Sequence, residues 1–348
     1  MHLREEYQRI WCGKMIKIAV AGGVTGGHLY PALAVLSELQ KITTIDVLYF
    51  TVKGKLEEKV LKKYTYKTVS LDVKGLVRPI YSFANISRIL KIINAQKTVK
   101  KTLKDFKPDI VFVTGGYISY PVGIIAKKLR IPLFIHEQNV IPGLTNLRLS
   151  KVADKVFVSF KSSKKYFKRK VIVSGNPIFI NENKKIRLDK KTILVVGGSG
   201  GSEFLNKLTC DLSKKMKDFH FILSSGGKEL YCSEENIEIK KYIENMADYY
   251  KAVNCAITRA GATTISELLY FQVPSIVIPW EGATESHQLE NAKEIEKNNL
   301  GFVIREKNLD LEDVINKLIV LSNKTRNFKK LENPAKIIAK EIVKEVLK

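Results

Sequence analysis

Cysteine is scarce in this chain: four in 348 residues, Cys12, Cys210, Cys232 and Cys255. None forms a Cys-x-x-Cys pair or has histidine at metal-ligand spacing, which excludes a zinc finger and a disulfide-built miniprotein; all four read as reduced thiols, buried as small apolar residues. Long apolar runs are also missing. No stretch reaches the roughly 18 apolar residues of a spanning helix, so the chain reads as soluble or peripheral. Residues 1–14 carry charges without an apolar core, which is no secretory signal, and they read as an extension ahead of a natural start at Met15. No two aspartates stand two apart, so there is no Asp-x-Asp triplet to bridge a metal to a diphosphate; no metal ligand set and no cofactor is expected. Acidic residues are the minority, 35 against 59 Lys and Arg, for a formal charge of +24. That excess fits an anionic partner (nucleic acid, a membrane face or a phosphorylated substrate) or simply lysine-rich solvated faces. Nucleic acid is the weakest of these, because no binding motif or aromatic stacking set accompanies the charge.

What is present is an ordered alternation. Ile16-Lys17-Ile18-Ala19-Val20 reads as a strand, a glycine cluster follows, and Pro31 to Leu39 has helical spacing. Further strands read at Val47–Phe50, Ile110–Thr114, Leu133–Ile135 and Val156–Val158, with helical segments such as Val122–Leu129 between them. Nearly all-apolar strands alternating with helices mean an α/β fold with a parallel sheet covered on both faces. The opening recurs at Thr192–Val196, then Gly197 to Gly201, then a helix from about Glu203, with strands at Phe219–Leu223, Cys255–Thr258 and Ser275–Ile278. Two doubly wound Rossmann-like domains are therefore expected, 15–174 and 175–333, with the hinge near Ser174-Gly175-Asn176-Pro177. Residues 334–348 place Ile337, Ile338, Ile342, Val343, Val346 and Leu347 on one helical stripe, suited to packing on the body or to lying on a membrane.

Several groups can carry chemistry. The loop Gly22 to His28 meets a helix N-terminus, where N–H groups and the helix dipole favour an anion such as a diphosphate; it equally serves as a tight turn. It is not a dinucleotide fingerprint, since no acidic residue ends the second strand, and not a Walker A loop. His28, at the helix start, can act as general base or merely hydrogen-bond the helix end. Gly115-Gly116-Tyr117 and His136-Glu137-Gln138-Asn139 end two other strands and converge on the same rim, with Glu137 open to a second reading as a buried carboxylate fixing loops. In the second half, Arg259 to Glu267 forms a strand end, turn and helix start, where Glu267 can accept both hydroxyls of a ribose or act as a capping carboxylate. Between Asp72 and Asp105 lie eight Lys or Arg and no acid; there Ile86, Leu90 and Ile93 follow helical spacing beside Arg88 and Lys91. Such a stripe suits docking on anionic lipid, while the commoner reading is a helix packed on the sheet with a basic outer face.

Ala21 to Ala34, Gly115-Gly116-Tyr117, His136 to Asn139, Gly143 to Asn146, Gly175-Asn176-Pro177, Gly197 to Ser199, Arg259 to Glu267, and His287-Gln288 with Asn291-Ala292 together resemble the MurG family of lipid-linked GlcNAc transferases, over about residues 15–345. The resemblance implies the GT-B fold and inverting transfer of GlcNAc from UDP-GlcNAc to the C4 hydroxyl of MurNAc in undecaprenyl-diphospho-MurNAc-pentapeptide. It places the enzyme at the cytoplasmic face of the cell membrane. By the same resemblance His28 matches the base, and Thr25, Gly26, Gly27 and Asn139 match donor contacts. Ser199, Ile243, Ala262, Thr263, Thr264, Ile265, Ser266 and Glu267 match the nucleotide pocket, Gln288 matches a sugar contact, and Tyr117 and Glu137 fall on the acceptor side. The Ile86, Leu90, Ile93 stripe, with Arg88 and Lys91, falls on the membrane-docking patch and moves the preference toward docking on an anionic inner-membrane surface. Three positions depart from the pattern: Val24 and Gly200 stand where glycine and glutamine are common, and Phe179 where an arginine meets the donor, leaving Arg259 or a nearby lysine to replace it. Rival readings are a diacylglycerol-glycosylating relative, a UDP-GlcNAc 2-epimerase on a similar fold, and a non-enzymatic basic binding protein.

Overall fold

The computed structural model describes residues 15–77, 79, 81–168, 170–180, 186–198, 200–230, 232–280, 282, 287–326 and 331–348. The chain divides into two compact units, the first running to Ile178 and taking in Glu332–Lys348, the second spanning Phe179–Leu331. Neither Ser199 nor the extension 1–14 falls among the described residues.

In the first unit the described strands are β1 (Ile16–Gly22), β2 (Ile45–Val52), β3 (Lys67–Leu71), β4 (Ile110–Gly115), β5 (Leu133–Glu137), β6 (Lys155–Val158) and β7 (Val171–Val173). They form one parallel sheet in the order β3-β2-β1-β4-β5-β6-β7. The helices are α1 (Gly26–Ile42), α2 (Leu56–Leu61), α3 (Ala84–Phe106), α4 (Ser119–Lys128) and α5 (Leu144–Leu149), with α11 (Pro334–Val346) returning from the end of the chain. Strand β1 shows why both faces must be covered. Ile16, Ile18 and Val20 point into a core with α1 and α11, whereas Ala19 and Ala21 point into the opposite core with α3 and α4. Helix α11 is started by Pro334 at its first turn and by Asn333, whose Oδ1 accepts the Ala335 amide at 2.9 Å. It buries Ile338, Ile342 and Val343 on α1, each worth roughly 2 kcal/mol.

The second unit holds β8 (Thr192–Val196), β9 (His220–Ser224), β10 (Ile237–Lys240), β11 (Cys255–Thr258), β12 (Ser275–Val277) and β13 (Gly301–Val303), parallel in the order β10-β9-β8-β11-β12-β13. Its helices are α6 (Glu203–Lys215), α7 (Met246–Ala252), α8 (Ala262–Tyr270), α9 (His287–Lys297) and α10 (Leu311–Ser322). Apolar strand residues such as Ile193, Val195, Phe221 and Ile257 pack with Leu205, Leu212 and Leu318 of these helices.

In each unit the strand order reverses beside the first strand, between β1 and β4 and between β8 and β11. Such reversal points open a crevice beyond the carboxyl ends of the strands, and both glycine loops lie there.

Two expectations are corrected. Helix α1 begins at Gly26 rather than Pro31, since a proline in the second turn removes only one intrahelical bond and the flanking apolar residues hold the helix. The cysteines are not all reduced: Cys210 at α6 and Cys232 are joined as a disulfide, while Cys255 is free and buried. Residues 22 apart in sequence meet because the segment between β9 and β10 runs back beside α6, where Asn236 Nδ2 also donates to Ser213 O at 3.2 Å.

Candidate active site

At the first reversal point the glycine loop is fixed from several sides. Gly22 lies so close to β4 that a Cβ there would stand 1.7 Å from Thr114 Oγ1, which donates to the His28 carbonyl at 2.6 Å. The Tyr49 hydroxyl donates to the Gly22 carbonyl at 2.5 Å, and burial holds that phenol well above its ordinary pKa. Glu57, fully buried on α2, accepts the amides of Val24 and Val52, both at 2.9 Å. Nothing in the local pattern singles out Glu57, which lies beyond the second strand in a short charged helix. Thr25 is the N-cap of α1 but its side chain caps nothing, so the amides of Gly26 and Gly27 open toward solvent with the positive end of the helix dipole.

His28 stands in the first turn of α1, half-buried, with Nδ1 3.1 Å from Gln138 Oε1. Gly115, at φ 104°, lets the ring approach: a Cβ there would be 3.1 Å from both Nδ1 and Cε1. Gln138 reaches on to Thr114 O at 2.8 Å and His136 Nδ1 at 3.1 Å, and His136 Nε2 faces Gly175 O at 3.1 Å. Complete burial lowers the His136 pKa to about 4, so this ring is neutral at physiological pH.

Glu137 takes the second of its two readings. Its buried carboxylate accepts from the amides of Asn139 at 2.9 Å and Gly143 at 3.1 Å and from Asn146 Nδ2 at 2.9 Å, so it shapes the loop carrying Asn139. Tyr117 packs against Gly75 with its phenol partly buried, which raises its pKa.

At the second reversal point the close approach of Gly201 and Gly226 fixes the glycine loop; both have positive φ, and a Cβ on Gly201 would stand 2.1 Å from Ser225 O. Ser202 caps α6 through the Leu205 amide at 3.3 Å. The Arg259 guanidinium donates to Ser202 Oγ at 2.9 Å and Ile278 O at 3.1 Å, pairs with Glu306 and lies over the Phe204 ring, so it braces the loop. Phe179 is partly exposed at the start of the second unit.

Helix α8 starts at Ala262 with Gly261 as N-cap, so no side chain caps it and Thr263 and Thr264 sit in its first turn. Ile265 is buried against the sheet, while Ser266 Oγ is buried with no partner among the described residues. The Tyr250 hydroxyl donates to Glu267 Oε2 at 3.2 Å, and burial lifts the Glu267 pKa to about 7. Gln288 Oε1 accepts the amides of Trp280 at 2.9 Å and Ala260 at 3.3 Å, which turns its Nε2 outward as a donor. Ile243 is buried just ahead of α7, so only its backbone is offered to a ligand. Arg326 was unmarked in the sequence; it donates to the carbonyls of Tyr250, Val253, Phe271 and Gln272, clamping the ends of α7 and α8 together.

On α3 the structure separates two halves. Ala95, Val99 and Leu103 pack on the sheet, but Ile86, Leu90 and Ile93 are 57%, 56% and 45% exposed, beside Phe83 at 89%. The outer face is therefore apolar at its start. Of the cations placed beside it, Arg88 donates to Gly75 O and Lys91 pairs with Asp72 at 2.7 Å, whereas Lys97, Lys100 and Lys101 are exposed. Among the described residues no helix is long and apolar enough to cross a membrane.

Comparison with known proteins assigns the chain. Residues 18–158 match the model of the glycosyltransferase family 28 N-terminal domain, and residues 192–346 that of the glycosyltransferase family 28 C-terminal domain. The chain belongs to glycosyltransferase family 28 and, within it, to the MurG family. A Thermosipho melanesiensis protein called UDP-N-acetylglucosamine--N-acetylmuramyl-(pentapeptide) pyrophosphoryl-undecaprenol N-acetylglucosamine transferase is 76% identical over 334 residues, 96% of this chain and 100% of that one. A Thermotoga maritima protein of the same name is 46% identical over 341 residues, with 96% and 100% covered. The crystal structure of Acinetobacter baumannii MurG shares the fold with a TM-score of 0.74 at 24% identity, covering 94% of this chain and 99% of that one. UDP-GlcNAc 2-epimerase from Methanocaldococcus jannaschii shares it at a TM-score of 0.64 and 15% identity, covering 95% and 100%, a likeness of fold alone. The architecture is GT-B, and the chain is a glycosyltransferase rather than an epimerase or a passive binding protein.

Proposed function

We propose that this enzyme transfers GlcNAc from UDP-GlcNAc to the C4 hydroxyl of the MurNAc unit in undecaprenyl-diphospho-MurNAc-pentapeptide, with inversion and release of UDP. The observation that carries this reading is full-length identity to proteins named for that reaction, 76% in one. His28 supplies the base: its Nε2 takes the hydroxyl proton as the oxygen attacks the anomeric carbon opposite the departing diphosphate. Uncapped helix starts at Gly26 and Ala262 offer N–H groups and dipole to the phosphate charge, which supports bond formation without a metal. Glu267 accepts the ribose hydroxyls and Gln288 Nε2 donates to the sugar. The apolar start of α3 with its exposed lysines docks on an anionic membrane face.

The deciding experiment is transfer of radiolabelled GlcNAc from its UDP donor to purified lipid-linked MurNAc-pentapeptide, with diacylglycerol as a second acceptor, EDTA in a parallel arm and the His28→Ala variant beside wild type. Label on the MurNAc lipid that survives EDTA and falls at least ~100-fold with His28→Ala supports the reading. Label on diacylglycerol, or transfer indifferent to His28, overturns it.

A further inference from the structure

Gln138, only 2% exposed at the end of β5, links three groups that lie far apart in sequence. Its amide faces Thr114 O at 2.8 Å, His136 Nδ1 at 3.1 Å and His28 Nδ1 at 3.1 Å. The proton on each follows from chemistry. A backbone carbonyl only accepts, so the Gln138 atom facing Thr114 O has to be the nitrogen; the opposite orientation would set two acceptors against each other. His136 Nε2 faces Gly175 O, another obligate acceptor, and so carries the proton of a neutral ring. That leaves a lone pair on His136 Nδ1, which takes the second amide hydrogen of Gln138. The Gln138 oxygen is then turned to His28, and because it too only accepts, His28 Nδ1 donates.

We infer that Gln138 is a positioning residue that holds His28 in the Nδ1–H tautomer and so presents the Nε2 lone pair as the base. This deepens the reading of His28 as base and rests on it. The polarity runs one way, from His28 through Gln138 to Thr114 and from His136 to Gly175, with every buried donor matched to an acceptor. A neutral amide orients the ring without the charge that a carboxylate partner would bring, which would raise the imidazole pKa. The other titratable groups nearby are occupied: Glu137 by the Asn139 and Gly143 amides, Glu57 by those of Val24 and Val52, and His136 by Gly175 and Gln138.

The test uses the full chain labelled with 15N-histidine, whose long-range proton–nitrogen correlations show which ring nitrogen bears hydrogen. The five histidines are few enough for His28→Ala to assign the signal. Wild type is expected to show His28 as Nδ1–H. Gln138→Met is expected to restore the Nε2–H form that an unrestrained imidazole prefers, and to lower kcat about 100-fold with KM for UDP-GlcNAc little changed. A purely structural glutamine would leave the tautomer unchanged. Nε2–H in wild type, or Nδ1–H retained in Gln138→Met, overturns the inference. If Gln138→Met does not fold, Gln138→Asn, one methylene too short to bridge, takes its place in the same spectrum. Full activity in His28→Ala would instead overturn the base reading, while the wild-type spectrum still decides the role of Gln138.

Discussion

Glu57 Oε2 accepts the Val24 amide at 2.9 Å where Val24 itself adopts φ 74°, a left-handed conformation that a β-branched residue avoids. The carboxylate holds the loop in a shape the side chain of Val24 resists. Val24→Gly is expected to stabilise the fold by roughly 1 kcal/mol and to keep transferase activity. Glu57→Ala strands two amides and is expected to cost roughly 2–4 kcal/mol. Urea denaturation of the three proteins checks both signs.

Glu267 carries a pH signature. Burial lifts its pKa to about 7 in the fold, above its unfolded value, so the folded chain binds the extra proton between roughly pH 4.5 and 7. Its contribution to stability is present at the acid end of that window and is lost as pH rises through 7. Glu267→Gln is therefore expected to raise stability by on the order of 1–2 kcal/mol at pH 8 and hardly at pH 4.5. The same variant is expected to weaken UDP-GlcNAc binding by about tenfold with little loss of kcat at saturating donor. Thermal melts at the two pH values and donor titrations check the pair; collapse of kcat would rule out a ribose contact.

His136 runs in the opposite direction. Its folded pKa of about 4 lies below the unfolded value, so the unfolded chain binds the extra proton and stability falls as pH drops from about 6.5 toward 4. The loss is expected to reach roughly 3 kcal/mol from this residue. His136→Gln should flatten that part of the stability–pH curve, as measured by denaturant unfolding at half-unit steps.

For the exposed start of α3, Ile86→Asp with Leu90→Asp is expected to reduce binding to anionic vesicles at least ~10-fold and leave UDP-GlcNAc affinity unchanged. Vesicle sedimentation with and without phosphatidylglycerol checks it. Unchanged vesicle binding would return the stripe to an ordinary surface.

The central strands were legible because they are short, almost wholly apolar runs such as Ile193 to Val196, and a strand buried on both faces can hardly be written otherwise. The edges were not. Lys67–Leu71 and Ile237–Lys240 are polar and partly exposed, and Gly301–Val303 is three residues long, so neither period nor composition marked them. The site divides along a similar line. Glycine loops announce themselves by following apolar strands, and His28 by following a glycine loop. The partners that orient those groups come from distant sequence: Glu57 reaches back 33 residues to Val24, and Gln138 is 110 residues from His28. Arg259 likewise gains partners that its local sequence does not announce, Ser202, Ile278 and Glu306, which the fold brings to it.

Helix α11 closes the core of the first unit, although the whole of Phe179–Leu331 precedes it in the chain. Every residue of the second unit is therefore synthesised before the helix that completes the first. The α1 surface that receives Ile338, Ile342 and Val343 stays wet until the last segment leaves the exit tunnel. A chain cut ahead of Pro334 would keep every residue of the second unit and leave the first with that apolar face bare.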